Sequence, residues 1–341
     1  MKRIDYIVCF LIGIATLVSR VPFVEKFQSF WDGPQLTIGI LQYSFAQQTP
    51  AAPGYPYFVG LGKFFHLFSS DLHTSIVAAS VFAGIMGAIT LYIVGLKMFN
   101  RFVGLAASVI FLTGSTFYFF SIAPHPYDLL ITTTTLLAYS VYRIFVQKKQ
   151  EGLFLGIIIG ICMGIRPQEI IQIGLLFLLG FLALNNKEKI KTVIVSFIVT
   201  LTWFIPVVSA VGIRGYFIES LTIAKTGIAS QSVASHLDSM LKGFLLSFGI
   251  AGGFLAYYLL RLKGIKKIFL KDRNLLIFWT AWILPGVIYN LFFRSDAAGY
   301  QFSYLIALLF LISNAIWHLT KGMEFGSGKQ AGAREPCDHQ H

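Results

Sequence analysis

Residues 74–96 read T-S-I-V-A-A-S-V-F-A-G-I-M-G-A-I-T-L-Y-I-V-G-L and contain no charged side chain. A helix crosses the hydrocarbon core of a bilayer with about 20 predominantly apolar residues, so this stretch is long enough to span a membrane. The whole chain has a similar character, because 56% of its 341 residues are hydrophobic and only 12% are charged. Soluble domains carry about 25% charged residues. The sequence therefore predicts an integral membrane protein.

Nine further apolar stretches complete a set of about ten predicted spans: residues 4–21, 102–121, 129–146, 153–165, 170–184, 192–213, 243–260, 275–293 and 302–319. Two of them are short, and Arg166-Pro167 separates them. This break favours a hairpin over one long helix, because proline disfavours helical backbone at the residue before it. The predicted fold class is an all-α polytopic membrane protein, with a single transmembrane domain over residues 1–320.

The distribution of positive charge predicts the orientation. With the amino terminus in the cytoplasm, 19 of the 27 Lys and Arg residues fall on the cytoplasmic side and 8 on the other, as is typical of membrane proteins. We expect a multi-pass protein of the cell membrane with both termini in the cytoplasm. The net charge of +12 then needs no nucleic-acid partner. Two extracytoplasmic loops, residues 22–73 and 214–242, are long enough for a site, and residues 321–341 are expected to be a disordered cytoplasmic tail.

The first extracytoplasmic loop carries W-D-G-P-Q at residues 31–35. Asp32, with Gln35 three positions later, has the pattern of a capping box that opens a helix, predicted over residues 34–46. A second juxtamembrane helix is predicted over residues 57–68, after an irregular proline-rich turn. Asp32 is either a simple helix cap or a carboxylate held rigidly at the membrane surface, where it could also accept a proton.

Five segments then occur in a characteristic order: W-D-G-P-Q at 31–35, P-G-Y-P-Y-F-V-G-L-G-K at 53–63, A-P-H-P-Y-D at 123–128, G-I-R-P at 164–167 and G-Y at 299–300. In this order they resemble membrane glycosyltransferases of the GT-C superfamily, especially bacterial relatives of dolichyl-phosphate-mannose protein mannosyltransferases. The resemblance covers residues 1–185 well and the remainder more loosely.

The resemblance implies that a sugar is transferred from a polyprenyl-phosphate donor to an acceptor hydroxyl on the extracytoplasmic face, with inversion. In the family an acidic residue of the first outer loop is the base, and here this role maps to Asp32. Gln35 stands where relatives often carry a second acid, and it is a candidate substrate contact. The implied partners are the lipid-linked donor, the lipid bilayer, and an acceptor that is a protein, a glycolipid or a polysaccharide.

Transfer from a lipid phosphate also requires positive charge beside the leaving phosphate. Arg166 and Arg294 lie at the extracytoplasmic ends of predicted spans, where a guanidinium could bind phosphate or could simply anchor the helix at the interface. Asp128 is either a helix cap or a second carboxylate that orients acceptor or sugar. Trp31 and Tyr55 could stack on a sugar ring or belong to the aromatic belt of the membrane interface.

No cofactor or metal ligand is predicted. The three cysteines are far apart and form neither a disulfide framework nor a metal-binding pattern. A donor with one phosphate is compatible with a divalent metal but does not require one. The alternative class is a multi-pass transporter or lipid flippase without transferase activity, which would place ionisable residues near the bilayer midplane. The acidic residues named above are instead predicted at the extracytoplasmic edge, which favours the transferase.

Overall fold

The computed structural model describes residues 1–27, 32–228, 232–260, 272–293 and 298–328. Regular structure in these ranges is helical, apart from one isolated bridge between Ser44 and Thr49. The predicted all-α fold is therefore confirmed. The helices are α1 (Arg3–Arg20), α2 (Asp32–Gly39), α3 (Pro56–His66), α4 (Leu72–Met98), α5 (Arg101–Thr113), α6 (Ser115–Ile122), α7 (Tyr127–Val141), α8 (Gly152–Ile165), α9 (Ile170–Ala183), α10 (Asn186–Val211), α11 (Ile213–Ile228), α12 (Val233–Phe248), α13 (Ile250–Leu260), α14 (Arg273–Phe292) and α15 (Phe302–Gly328).

Among the described residues, six helices are long and apolar enough to cross a membrane: α1, α4, α7 with the π-turn after it, α10, α14 and α15. The number rises to eight if the bent pairs α5–α6 and α12–α13 each form one span. Helices α8 and α9 are apolar but shorter. The chain is thus a multi-pass membrane protein. The count of ten spans stays a prediction, because it requires every bent and short helix to cross.

The surface of α10 is suited to lipid. Its most apolar stretch is only 11% buried within the protein, and Ile194, Phe197 and Ile198 are each more than half exposed. A continuous apolar surface of this kind marks an interaction with a membrane or a partner when it occurs on a protein. In a bilayer the same side chains are solvated by hydrocarbon, so their exposure carries no penalty.

Two of the predicted spans are bent rather than straight. The axes of α5 and α6 differ by 66° across Gly114, and those of α12 and α13 differ by 102° across Gly249. A Cβ at Gly114 would lie 2.3 Å from the Ser247 carbonyl oxygen, and Gly249 has a φ of +48°. Hydropathy alone predicts straight helices here, because it contains no information about such close contacts or backbone conformations.

Both predicted juxtamembrane helices are present, although α2 is shorter than the predicted 34–46. It ends where Gly39 packs against Pro50, since a Cβ at Gly39 would lie 3.2 Å from the proline Cδ. Helix α3 agrees closely with the predicted 57–68. The loop and both helices share a small apolar core with α4, formed by Leu36, Ile40, Tyr55, Phe58, Val59, Ile76 and Ala79.

A polar contact fixes the amino-terminal end of α1. The Asp5 carboxylate accepts a hydrogen bond of 2.7 Å from Arg101 Nε and one of 3.0 Å from the Tyr92 hydroxyl. Burial of a charged group is costly unless the group is paired and hydrogen-bonded, and Asp5 is only 1% exposed. This contact therefore ties α1 to α4 and α5 at the start of the chain.

A stripe of glycines brings α8 close to α10. At Gly156 and Gly160 a Cβ would lie 2.7 Å from a main-chain oxygen and 2.8 Å from a side-chain carbon of α10. One turn further, Gly164 lies against the ring of Tyr57 on α3, with the nearest ring carbon 2.3 Å from an added Cβ. Small residues at four-residue spacing are typical of tightly packed membrane helices. They fix the end of α8, which Arg166 follows.

The substitution Gly156→Val is expected to lower the thermal unfolding midpoint in detergent, because the added atoms would collide with the main chain of α10. Overpacking of this kind costs about 1–3 kcal/mol. Gly174→Val on α9 is a matched control, since a Cβ there meets only the Ile170 side chain, at 3.7 Å. Equal midpoints for the two variants would contradict the close α8–α10 contact.

Candidate active site

Arg166 lies at the break between α8 and α9 and is only 1% exposed. Its Nη1 donates a hydrogen bond of 3.3 Å to Oε2 of Glu169, whose side chain is equally buried. The sequence prediction that Glu169 pairs with Arg166 is confirmed. A buried guanidinium needs a counter-charge, and the 3-10 turn Pro167–Glu169 places the carboxylate three residues away on the same side.

Two tyrosine rings cover the Arg166 guanidinium. The Arg166 Cζ lies 4.1 Å from the ring centroid of Tyr300 and 5.2 Å from that of Tyr127. A cation above an aromatic face is attracted by the ring quadrupole, and more strongly where water is excluded. Arg166 Nε is buried and has no hydrogen-bond partner in the part of the chain that the structure describes. The guanidinium is thus held on two sides while it keeps a donor for a ligand.

Close packing sets the positions of both rings. A Cβ at Gly299 would lie 2.5 Å from the ring carbons of Tyr127, so only glycine leaves room for this ring. The Tyr300 carbonyl oxygen accepts a hydrogen bond of 3.1 Å from Asn290 Nδ2. The same amide donates to Gln172 Oε1 at 3.3 Å, which links α14 to α9. The short G-Y motif therefore supplies one residue that makes space and one that covers the cation.

Asp32 is the first residue of α2 and is half-buried. It acts electrostatically on Tyr127, as do Tyr55, Arg166 and Tyr300. Tyr55 is only 7% exposed and also acts on the Arg166 charge. Of the residues predicted from the sequence, the fold thus brings Asp32, Tyr55 and Arg166 together around the Tyr127 ring.

The remaining loop candidates differ in what is known of their surroundings. Gln35 is half-buried, and its Nε2 donates a hydrogen bond of 3.3 Å to Gln48 Oε1. This bond connects α2 to the turn that follows it, and no neutral side chain of this kind can replace a second acid. Trp31 and Arg294 lie outside the described residues.

Asp128 has different neighbours from Arg166. It is fully buried, and an added Cβ at Gly84 would lie 2.8 Å from Ser121 Cβ and 3.2 Å from Asp128 Oδ2. The positive charge that acts on this carboxylate is that of Arg20. Helix α7 begins at Tyr127 with Pro126 as its cap, so the interpretation of Asp128 as the helix cap is wrong.

His125 belongs to the aromatic packing around Tyr127. Its ring centroid lies 5.1 Å from that of Phe120 and 5.8 Å from that of Tyr127. Burial lowers the pKa of His125 to about 4, so the imidazole is neutral at neutral pH. Within the described ranges, no three side chains of His, Cys, Asp or Glu come together as a metal site.

Comparison with known proteins agrees with the membrane fold. The sequence model of the dolichyl-phosphate-mannose-protein mannosyltransferase family matches residues 50–211, which is slightly less than half of the chain. The matched segment contains Tyr55, Asp128 and Arg166 but not Asp32. No curated protein sequence matches this chain.

Solved structures of low sequence identity share the fold. ArnT from Cupriavidus metallidurans bound to undecaprenyl phosphate is 13% identical, with a TM-score of 0.64 over 92% of this chain and 59% of that one. ArnT in the apo state is also 13% identical, with a TM-score of 0.61 over 92% and 60% of the two chains. The apo oligosaccharyltransferase of Archaeoglobus fulgidus is 12% identical, with a TM-score of 0.60 over 98% of this chain and 53% of the other.

This chain therefore spans between 53% and 60% of the length of the solved structures that it matches. Its fold is that of the GT-C membrane glycosyltransferases. The resemblance to mannosyltransferase-like members of this superfamily, which the sequence motifs predict, is confirmed.

The substitution Glu169→Gln is expected to destabilise the protein, because it leaves the Arg166 guanidinium buried without its carboxylate. Removing one partner of a buried ion pair costs about 3–5 kcal/mol. The change is measured as the shift of the unfolding midpoint in detergent. Asp238→Asn is the control, since the Asp238–Lys242 pair is more than half exposed on both sides and such pairs contribute little. A smaller loss for Glu169→Gln than for the control would contradict the buried pairing.

Proposed function

We propose that this protein transfers a sugar from a polyprenyl-phosphate donor to an acceptor hydroxyl, with Asp32 as general base and Arg166 as phosphate ligand. The observation that carries the proposal is the grouping of the half-buried Asp32 carboxylate with the buried, partly unsatisfied Arg166 guanidinium around Tyr127. The fold supports it, since a structure of the same fold is that of ArnT bound to undecaprenyl phosphate.

The proposed reaction is a single displacement at the anomeric carbon. The Asp32 carboxylate takes the proton from the acceptor hydroxyl, whose oxygen forms the new bond to the anomeric carbon. The bond between that carbon and the phosphate oxygen breaks, and the phosphate leaves on the polyprenyl lipid with the electron pair. Attack opposite to the leaving group inverts the configuration, through a transition state with the oxocarbenium character known from glycoside hydrolysis.

Arg166 would stabilise the phosphate as it leaves. A guanidinium binds phosphate oxygens through charge-assisted hydrogen bonds, and its Nε donor is still open. A donor fixed in advance needs no reorganisation during the reaction, which makes this stabilisation effective in a site that excludes water. The Tyr127 and Tyr300 rings and the Glu169 carboxylate provide that fixation.

The other predicted contacts complete the proposed site. Tyr55, buried beside Arg166, is proposed to stack on the sugar, and Gln35 to hydrogen-bond to its hydroxyls. Trp31 and Arg294 keep their predicted roles of sugar stacking and phosphate binding. The excess of Lys and Arg in the opposite connections supports an extracytoplasmic site with both termini in the cytoplasm. A protein, a glycolipid or a polysaccharide would supply the acceptor hydroxyl.

The substitution Asp32→Asn is expected to lower the transfer rate by about 10²–10⁴-fold, the usual contribution of a general base, because an amide does not take the proton. The assay incubates purified protein in liposomes with polyprenyl-phosphate hexoses or pentoses and a hydroxyl acceptor, and it measures released polyprenyl phosphate. Asp238→Asn, an exposed carboxylate that pairs with Lys242, is the control and should transfer normally.

Near-normal transfer by a folded Asp32→Asn variant would contradict the role of Asp32 as base. A transporter or flippase would carry the donor across the liposome membrane without releasing the lipid phosphate. Movement of intact donor by the wild-type protein, with no release from any donor, would therefore contradict the transferase.

A further inference from the structure

A second pair of buried charges lies beside the candidate active site and is absent from the reaction proposed above. Arg20, the last residue of α1, is only 1% exposed, and Asp128 of α7 is fully buried. Each charge acts electrostatically on the other. Isolated charges are very costly in a membrane protein, and those that occur are paired or functional.

Helix α6 connects the two charged side chains. Arg20 Nε donates a hydrogen bond of 3.2 Å to Ser121 Oγ, and the Asp128 carboxylate lies beside the same serine. The Arg20 guanidinium also lies 4.3 Å from the ring centroid of Tyr118. The end of α1, the end of α6 and the start of α7 therefore meet at this pair.

The main chain joins α1 and α6 at the same place. The Tyr118 hydroxyl donates a hydrogen bond of 2.7 Å to the Ser19 carbonyl oxygen. The Glu25 amide donates one of 2.9 Å to the carbonyl oxygen of Ile122. These bonds hold α1 on α6, but neither of them reaches α7. The attraction between Arg20 and Asp128 is the polar interaction that extends to the start of α7.

The position of Asp128 in the sequence connects this pair to the active site. Tyr127 directly precedes it, and consecutive residues of an α-helix point about 100° apart, as 3.6 residues complete one turn. The Tyr127 side chain accordingly covers Arg166, while the Asp128 side chain faces Gly84 and Ser121. A force that holds Asp128 on one side of α7 also fixes the ring of Tyr127 on the other.

We infer that Arg20 and Asp128 are positioning residues, a buried charge pair that holds the start of α7 so that Tyr127 keeps Arg166 in its phosphate-binding position. In its effect on transfer, this inference rests on the proposed function. It assigns Asp128 an indirect role through Arg20, in place of the substrate contact predicted from the sequence. Arg20 also ends the helix from which the chain runs on to Asp32, so the pair relates the base to the phosphate ligand.

The test is a double-mutant cycle with Arg20→Met, Asp128→Asn and the double variant, each compared with the wild type. Removal of one member of a buried pair leaves an uncompensated charge, whereas removal of both does not. Each single variant should therefore lose at least tenfold in transfer rate at low donor concentration and unfold at a lower temperature. The double variant should regain most of both losses.

The kinetic constants separate positioning from simple loss of folded protein. Partial unfolding reduces the amount of active enzyme, which lowers the apparent kcat and leaves the donor KM unchanged. A displaced Arg166 instead raises the donor KM, and we expect this rise in both single variants. Tyr118→Phe is the matched control, because it removes the hydrogen bond to Ser19 and keeps the ring under Arg20. It should leave the donor KM unchanged.

The possible results are distinguishable. A folded double variant that is as inactive as Asp128→Asn alone would overturn the inference and favour direct contact of Asp128 with substrate. If neither single variant folds, a folded double variant supports the pair, and an unfolded one overturns it. A wild-type protein that releases no polyprenyl phosphate contradicts the proposed function, and the pair is then judged by unfolding temperature alone. Coupled losses support the pair, and additive losses overturn it.

Discussion

The buried guanidinium of Arg166 is the feature around which the rest of the candidate site is arranged. A permanent positive charge in a membrane protein interior is stable only with close counter-charges and aromatic faces, and Glu169, Tyr127 and Tyr300 provide them. Each of these contacts depends in turn on helix packing. The glycine stripe of α8 sets the position of the arginine itself. Residues far apart in the sequence are thus constrained by one charge.

The two ends of α1 show how polar contacts organise an otherwise apolar bundle. At its start, Asp5 binds Arg101 and Tyr92, and at its end Arg20 lies between Ser121 and Tyr118. Apolar helix surfaces gain little specificity from hydrophobicity inside a bilayer, because lipid is as apolar as leucine. The few buried polar groups and the glycines therefore determine which helices adjoin and at what height.

Much of the fold could be predicted from the sequence, because apolar length and the distribution of Lys and Arg are strong signals. The bends at Gly114 and Gly249 could not, since they depend on contacts between distant helices and on one backbone conformation. At the site, Arg166-Pro167 indicated both the helix break and the nearby Glu169. The covering rings of Tyr127 and Tyr300 were missed, although the G-Y motif was noticed, because their convergence on one cation depends on the packing of α7 against α15. For the same reason the sequence did not relate Asp128 to Arg20.

The central claim is that Arg166 is held ready for a lipid phosphate, and lipid binding tests it most directly. A ligand that binds the folded state raises the unfolding temperature, so the purified protein can be compared with polyprenyl phosphate and with polyprenol of the same chain length. We expect polyprenyl phosphate to stabilise the wild-type protein more than polyprenol does. We also expect this difference to disappear in Arg166→Lys, because an ammonium lacks the planar donor set that pairs with phosphate. Equal stabilisation of the wild-type protein by the two lipids would contradict the account.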